Sequence, residues 1–439
     1  FDVTDLHKIF RSPNYHTYMA HVRYATRGSK DMILEEAHPH VIGGTIENRD
    51  NHIMIWDCDM AAVHNGQVDA VFLKDSAPEH MYSSCDTEAL LYLYRDHGEY
   101  NFLKEVPGAY TMAIADKRKR DVMVMRDRTG IKPGVLGWKD GKYGVASEDI
   151  AFRKNGGEYV EDLEPGTIYY LTPEGDFSKE VVVETNLAHC FFEWNYITDL
   201  DSIVNGVSVR RIRESLGEVL SEEFQPGDAD FVTYLPRCPE VAARSYAKKA
   251  ELPFQPVFYK MRGERSFQGS NADERKESIG QNLHLLPGMA QKIKGKTVIL
   301  LDDSIVRGNN SKRARDLLYE EAGVEKAYLV SYTPPIGIIG DDGVPRGCTF
   351  GVDMPPDPPP GDEFIARNRT VAEIGQAMEM PVVYLSMEGM LKAFERAGLP
   401  ERDLCTFCIG GRMPYEGAES LIQIGEKPQM DLLAGLKAG

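Results

Sequence analysis

The sequence has few cysteines, no long apolar run and no recognisable leader. Its 439 residues include seven cysteines, too few for the disulfide scaffold of a small secreted domain. No apolar stretch approaches the ~18 residues of a membrane span. The opening FDVTDLHKIF lacks the basic and apolar regions of a signal peptide. These absences argue against the membrane and secreted classes, and we expect a soluble cytoplasmic protein.

The sequence is also poor in positive charge. Lys and Arg number 50 against 68 Asp and Glu, so the formal net charge is −18. Such a chain repels a phosphate backbone at long range, so we expect no nucleic-acid binding. An anionic ligand would have to be held by a local binding site. Because single hydrophobic cores stop growing near about 250 residues, the length predicts two or three domains.

The two halves of the chain differ in their secondary-structure pattern. Up to about residue 148, short β-rich runs alternate with turns such as Asn65-Gly66 and Asp140-Gly141, which predicts antiparallel sheet. The clear helix in this half covers residues 87–95, with Ser84 or Asp86 as its cap.

After about residue 205 the pattern changes to alternating strands and helices. The predicted elements are strands at 231–235, 298–301 and 327–332 and helices at 207–224, 240–250 and 312–321. This alternation predicts a parallel, doubly wound sheet. The domain boundary should fall between residues 205 and 228, and the proline-rich run at 355–361 should form an exposed loop.

The strongest local signal is residues 298–311, VILLDDSIVRGNNS. An apolar strand ends in Asp302 and Asp303, and a loop with Gly308 leads into a helix. Ligands of open α/β sheets bind at the carboxyl ends of strands, and helix N-termini attract phosphate. The carboxylates can hold ribose hydroxyls or hydrated Mg²⁺, while the loop amides wrap a phosphate. The alternative is an acidic strand end that caps the next helix.

The DDSIVRG string resembles the phosphoribosyl-diphosphate (PRPP) motif of type I phosphoribosyltransferases, in the version of the glutamine PRPP amidotransferase family. The basic stretch at 259–268, YKMRGERSFQ, looks like the segment that closes over the pyrophosphate in that family; alternatively it is a solvated basic loop. The resemblance implies that PRPP is bound by Lys260, Arg262, Arg265, Asp302, Asp303, Ser304, Arg307, Gly308, Asn309 and Asn310, with Mg²⁺ at Asp302 and Asp303. Asn309-Asn310 replaces two hydroxyl residues of the family motif.

Several fragments of the first half resemble, in order, the glutaminase domain of the same family. They are HVRYAT at 21–26, HNG at 64–66, CDTE at 85–88, GAY at 108–110, RDRTG at 126–130 and ASE at 146–148. By this resemblance Arg23, Thr26 and Asp86 bind glutamine, Arg23 at its α-carboxylate and Asp86 at its α-ammonium. Asn65 and Gly66 form the oxyanion hole.

In this family the nucleophile is an N-terminal cysteine well upstream of the HVRYxT motif, and here that motif begins at His21. Cys58 and Cys85 follow the motif and have no free amine to activate them. We therefore expect the chain to be truncated, separately encoded or incompletely built at its start, possibly with a companion chain that carries the missing segment. As given, it should not hydrolyse glutamine.

The cysteines form a further pattern. Cys405 and Cys408 make a CxxC, which alone could be a zinc half-site, a redox pair or two buried thiols. Cys190 in CFFE and Cys348 in CTFGVD resemble the other ligand positions of the family's iron–sulfur branch. The resemblance implies a [4Fe–4S] cluster on these four thiolates, and the rival is a structural Zn(Cys)₄ site. Cys58, Cys85 and Cys238 are left as ordinary, buried thiols.

The resemblance as a whole implies an α+β N-terminal-nucleophile hydrolase (glutaminase) domain, truncated at its start, at 1–205. An α/β type I phosphoribosyltransferase domain would follow at 206–390, and a tail with the CxxC at 391–439. The implied activity is glutamine-dependent amination of PRPP to 5-phosphoribosylamine, the first step of purine synthesis, in a homo-oligomer with purine nucleotide effectors. The alternatives are a divergent paralogue that supplies ammonia to another acceptor, and a regulatory protein that binds PRPP or nucleotides without turnover.

Overall fold

The computed structural model describes residues 17–22, 36–49, 52–68, 73, 81, 83, 85–260, 282–352, 354–411 and 413–415. The described chain divides into two compact units between Thr185 and Asn186. This division lies earlier than the predicted boundary at residue 205, and the predicted tail from residue 391 belongs to the second unit up to the end of the described residues. The first unit therefore ends before Cys190.

The first unit is built on antiparallel sheet. Its strands are β1 (His40–Ile42), β2 (Thr45–Arg49), β3 (His52–Trp56), β4 (Met60–Val68), β5 (Gly108–Asp116), β6 (Val122–Arg126), β7 (Val135–Lys139), β8 (Lys142–Ala146), β9 (Glu158–Asp162), β10 (Thr167–Leu171) and β11 (Phe177–Val181), and its helices are α1 (Asp86–Glu105) and α2 (Ile150–Arg153). The main sheet has the order β1-β4-β5-β6-β10-β11. The predicted antiparallel organisation is confirmed.

Strand β4 shows how this sheet is packed. Its first five residues alternate between buried and half-buried positions, as expected for a strand with one face on a core. The core on that face includes Leu90, Tyr94 and Phe102 of α1 together with Met112 of β5. The predicted turn at Asn65-Gly66 is wrong, because both residues pair with β5 inside the strand. Asp140-Gly141 does form the predicted turn, between β7 and β8, with φ of 51° and 82°.

Helix α1 is longer than predicted and its cap differs. It runs on to Glu105 past Gly98, whose φ of 73° interrupts the helical geometry. The N-cap residue is Cys85, whose side chain makes no cap hydrogen bond, and Ser84 lies outside the described residues. Asp86, the predicted cap, is instead the first helical residue, and its carboxylate accepts a hydrogen bond from the Val68 amide at 3.1 Å. The amino end of the helix thus places Asp86 beside the last residue of β4.

The second unit contains the predicted parallel sheet. Its strands are β12 (His189–Cys190), β13 (Ile203–Val204), β14 (Val207–Ser208), β15 (Phe231–Tyr234), β16 (Phe258–Lys260), β17 (Leu283–Leu285), β18 (Thr297–Asp302), β19 (Lys326–Ser331), β20 (Val382–Tyr384) and β21 (Leu404–Cys405); its helices are α3 (Val209–Glu223), α4 (Glu240–Lys249), α5 (Met289–Ile293), α6 (Asn309–Asp316), α7 (Val371–Met378) and α8 (Met387–Arg396). Strands β15, β18, β19 and β20 are parallel neighbours in that order.

The central strand β18 positions the second candidate site. All six of its residues are buried, which is typical of a parallel strand covered on both faces. Its carboxyl end is Asp302, and α6 begins at Asn309, three residues before the predicted start. The helix widens into a π-helical segment at Leu317–Glu321. The strand and the helix therefore bracket the loop from Asp303 to Gly308.

Two further expectations concern solvent and lipid exposure. Residues 355–361 form a loop as predicted, but Pro356 within it is buried. No helix in the described ranges is both long enough and apolar enough to cross a membrane.

Candidate active sites

Strand β4 of the first unit holds the predicted oxyanion residues side by side. Gly66 lies opposite Tyr110 of β5, with a φ of 151° that favours glycine. A Cβ atom on Gly66 would lie 1.9 Å from the carbonyl oxygen of Ala109, so a larger residue cannot fit without displacing the backbone. The Asn65 side-chain amide donates to the Ser147 hydroxyl at 3.3 Å. The two potential oxyanion donors are thus on consecutive residues of one strand.

Asp86 approaches the same end of β4 from helix α1. Its Oδ1 lies 3.9 Å from Nδ1 of buried His64, while its Oδ2 receives the Val68 amide. Burial lowers the pKa of His64, and the charge of Asp86 opposes that shift. The structure therefore places Asp86 beside the strand that carries Asn65 and Gly66; Arg23 and Thr26 lie outside the described residues.

The RDRTG fragment has a supporting role that the sequence did not indicate. Buried Arg126 donates to the carbonyl oxygens of Lys132, Leu163 and Gly130 at 2.8, 2.6 and 2.9 Å. Buried Asp127 accepts from the Tyr110 amide at 3.0 Å. Tyr110 of β5 pairs with Gly66 of β4. The turn at residues 126–130 therefore holds β5 in position beside the proposed oxyanion residues.

In the second unit, two carboxylates meet at the carboxyl end of β18. Asp302 and Asp303 are only 7% and 8% exposed. Asp302 Oδ1 accepts from the Asp303 amide at 2.9 Å, and Asp303 Oδ2 accepts from the Ser304 hydroxyl at 3.0 Å. The predicted pair thus forms a compact acidic group at the end of β18 rather than a cap of α6, whose N-cap is Gly308 and has no side-chain cap hydrogen bond.

Burial disfavours the ionised form of both carboxyl groups when no ligand is bound. Burial raises the pKa of Asp302 well above its ordinary value, and the charge of Asp303 raises it further. Burial also raises the pKa of Asp303 to about 6, against the Ser304 hydrogen bond and the charge of Arg213. Lys260 at the end of β16 favours the charged form of Asp302. A ligand that supplies positive charge or hydroxyl donors would favour the ionised form of both carboxyl groups.

The sequence did not identify Arg213 as a site residue, because an arginine in a helix ordinarily lies on the exposed face. It is buried in α3 and donates to the carbonyl oxygens of Trp194 and Thr198 at 2.8 and 2.9 Å. Its guanidinium is thereby held where its charge favours the ionised form of Asp303. Only the tertiary structure could reveal this role.

The loop after the carboxylates is fixed at both ends. Arg307 Nε forms an ion pair with Asp362 Oδ1 at 2.7 Å, a partner that sequence reasoning did not find because it lies far along the chain. Gly308 has a φ of 83°, which only glycine adopts at little cost. Asn309 and Asn310 form the first turn of α6, where backbone amides can bind phosphate. Arg262 and Arg265 lie outside the described residues.

The four predicted ligand cysteines come together in the second unit. Cys190 and Cys405 are paired residues in the parallel ladder of β12 and β21, so their side chains leave the same face. Cys408 follows in a 3-10 turn. Burial raises the pKa of the Cys408 thiol, and Cys348, Cys190 and Cys405 raise it further. Burial raises the pKa of Cys405 to about 12.

The other three cysteines are not buried as expected. Cys58, Cys85 and Cys238 are all half-buried. Cys238 lies beside the second site, where its thiol donates to the Asn195 carbonyl oxygen at 3.3 Å. Cys85 lies beside Asp86 in the first unit, with Sγ 3.6 Å from Oδ1.

The chain is similar to known proteins over most of its length. Residues 59–173 match the glutamine amidotransferase domain family. The amidophosphoribosyltransferase of Methanocaldococcus jannaschii is 30% identical over an alignment of 446 positions, gaps included, that covers 94% of this chain and 87% of that protein. The amidophosphoribosyltransferase of Archaeoglobus fulgidus is 31% identical over 412 residues, covering 90% of this chain and 83% of that protein.

Solved structures share the fold. The glutamine PRPP amidotransferase of B. subtilis, in complex with ADP and GMP, matches with a TM-score of 0.72 and 28% identity over 90% of this chain and 83% of that chain. A structure described as the allosteric regulatory enzyme of purine biosynthesis matches with a TM-score of 0.71 and 28% identity over 90% and 82%. These matches confirm the predicted glutaminase and phosphoribosyltransferase folds, and the chain belongs to the amidophosphoribosyltransferase family of enzymes.

Proposed function

We propose that the protein catalyses glutamine-dependent amination of PRPP to 5-phosphoribosylamine, the first step of purine synthesis. The observation that carries the proposal is the buried Asp302–Asp303 pair at the end of β18, followed by the Gly308 loop and the amino end of α6. This arrangement offers acceptors for ribose hydroxyls and amides for a phosphate within one loop.

Catalysis at this site would rest on positioning and charge. The carboxylates orient the ribose, and Lys260 lies close enough to influence Asp302. Mg²⁺ held by these two oxygen donors would favour their ionised forms and would neutralise diphosphate charge. Asn309 and Asn310 present amide groups in place of the family's hydroxyls, so phosphate binding would depend more on backbone amides.

The first unit would bind glutamine and stabilise the oxyanion formed during its hydrolysis. Asp86 provides a counter-charge for the α-ammonium group, and its position is fixed by the Val68 amide. Asn65 and the Gly66 amide are the donors for the oxyanion. Arg23 and Thr26 keep the roles proposed from the resemblance, as do Arg262 and Arg265 at the diphosphate.

A [4Fe–4S] cluster fits the four cysteines of the second unit. They supply the four thiolates that such a cluster requires. The charges of the other three raise the pKa of the Cys408 thiol, so the four sulfur atoms interact electrostatically. Burial disfavours the bare thiolates of Cys405 and Cys408, whereas a bound metal centre keeps its thiolate ligands deprotonated. The cluster would be structural, because it ties β12 to β21.

Loss of one ligand tests the cluster. We expect anaerobically purified protein to contain about four iron atoms and four acid-labile sulfides per chain, and Cys405→Ser to lose both together with the visible absorption. Cys238→Ser, a change in the same unit outside the ligand set, should keep the iron content. Zinc in place of iron at one equivalent per chain would refute the cluster.

Regulation and assembly complete the proposal. Purine nucleotides are the proposed effectors, since the B. subtilis relative was solved with ADP and GMP. We also propose a homo-oligomer that acts in the cytoplasm.

The activity can be tested at each site separately. With ammonium as nitrogen donor, the anaerobic protein should consume PRPP and release pyrophosphate in a Mg²⁺-dependent reaction that yields phosphoribosylamine. With glutamine as donor, the full-length protein should give the same product. Ammonia release from glutamine with no PRPP consumption from either donor would favour the divergent paralogue, and nucleotide binding without either reaction would favour the regulatory protein.

A further inference from the structure

Three side chains of the first unit converge outside the roles proposed above. His40 is the first residue of β1, His38 lies two residues before it, and Cys85 is the N-cap residue of helix α1. One ligand atom from each of the three lies within 4.8 Å of the others. We propose that His38, His40 and Cys85 bind a Zn²⁺ ion, an inference that does not rest on the proposed amidotransferase activity.

The hydrogen bonds around His40 set its protonation. The Ser83 hydroxyl donates its one proton to Glu88 Oε2 at 2.5 Å, so its oxygen can only accept from His40 Nδ1, 3.5 Å away. The proton of a neutral His40 then lies on Nδ1, and the lone pair lies on Nε2. A ring nitrogen that donates to an anchored oxygen while the other binds the metal is the usual arrangement of histidine ligands.

The other two ligands share one anchor, Thr87. Its hydroxyl oxygen lies 2.9 Å from His38 Nε2 and 3.6 Å from Cys85 Sγ. The His38 ring also stacks on His21, with centroids 4.1 Å apart. These contacts confine both ligand side chains to one small volume beside His40, so that little conformational entropy is lost when a metal binds.

The donor set selects the metal. Two imidazoles and one thiolate suit Zn²⁺, whereas Mg²⁺ and Ca²⁺ require oxygen ligands. Zinc ligands lie roughly 2.0 to 2.3 Å from the ion, so the three groups need only a small inward movement from their present spacing. Binding releases the Cys85 thiol proton to solvent, leaves the zinc oxidation state unchanged, and keeps a fourth position for water.

Metal counting tests the site in the full-length protein with its other metal centre intact. Protein equilibrated with Zn²⁺ and a competing chromophoric chelator should retain one equivalent more than either Cys85→Ser or His40→Gln. Cys58→Ser and His97→Gln change the same residue types in the same unit, but neither residue is a proposed zinc ligand. Both variants should bind as much zinc as the wild type. The proposal would be overturned if Cys85→Ser and His40→Gln both retained as many zinc equivalents as the wild type.

A second measurement needs no variant. Zn²⁺ should slow alkylation of Cys85 in the wild-type protein by roughly the factor 1 + [Zn²⁺]/Kd, with Cys58 as the internal reference. Peptide mass spectrometry gives both rates in one sample. An alkylation rate of Cys85 that does not respond to Zn²⁺ would also overturn the site, whatever the outcome for amidotransferase activity.

Discussion

Asp303→Asn is expected to lower PRPP turnover by about 100-fold with either nitrogen donor. Asp303 is buried at the end of β18, where its carboxylate would accept from a ribose hydroxyl and attract Mg²⁺. Hydrogen bonds to a charged group contribute about 1.5 to 3 kcal/mol each, and 1.4 kcal/mol corresponds to tenfold in rate. The measurement is pyrophosphate release with ammonium as donor, which isolates the second unit.

The same substitution should stabilise the protein when no ligand is bound. Burial raises the pKa of Asp303 from 3.8 to about 6, so between these values the folded state binds more protons than the unfolded state. The free energy of unfolding therefore falls as the pH rises through that range. An amide does not ionise, and Asp303→Asn in EDTA should unfold at higher urea concentration than the wild type near neutral pH, with a smaller difference near the lower limit of that range.

Asp341→Asn provides the control, because it makes the same change on an exposed loop of the same unit. It should leave both PRPP turnover and the urea midpoint unchanged. Turnover by Asp303→Asn within a few-fold of the wild type would contradict the assignment of the PRPP site to the end of β18.

Gly66→Ala is expected to abolish glutamine-dependent product formation by the full-length protein while ammonium-dependent formation persists. The added Cβ would lie 1.9 Å from the Ala109 carbonyl oxygen, so β4 must move away from β5 and the Gly66 amide with it. Loss of one correctly placed oxyanion donor costs about 100-fold to 1,000-fold in rate. Parallel assays with the two nitrogen donors separate this effect from any change in the second unit.

Gly98→Ala is the matched control for Gly66→Ala. Gly98 also has a positive φ, but a Cβ there would meet no atom within 4 Å. Because Gly98 has a φ of 73° and a ψ of 168°, the change should cost about 1 to 3 kcal/mol of stability through backbone strain and leave both activities intact. Equal losses of glutamine-dependent activity in the two variants would show that strain, rather than the displaced amide, is responsible.

The parts of the fold that were predictable depend on local signals. Asp302, Asp303 and Gly308 were found because an apolar strand, its polar end and a glycine-started helix follow one another directly in the sequence. Asn65-Gly66 was wrongly predicted as a turn because this dipeptide favours turns locally, whereas its conformation is set by pairing with β5.

Long-range contacts account for most of what the sequence did not reveal. Arg213 is buried by carbonyl oxygens of an earlier segment, and Arg307 pairs with distant Asp362. The division before Cys190 follows from the pairing of β12 with β21. The roles of Arg23, Thr26, Arg262 and Arg265 remain predictions from the resemblance.

The pairing of β12 with β21 joins residues near opposite ends of the second unit through strands of two residues each. Cys190 and Cys405 are 215 positions apart (405 − 190) in the chain. With the proposed cluster bound, this short ladder becomes a cross-link, and closing a loop of that length in the unfolded chain corresponds to about 5 kcal/mol in the chain-entropy relation used for disulfides. The supply of iron and sulfide would then set the folding yield of the second unit.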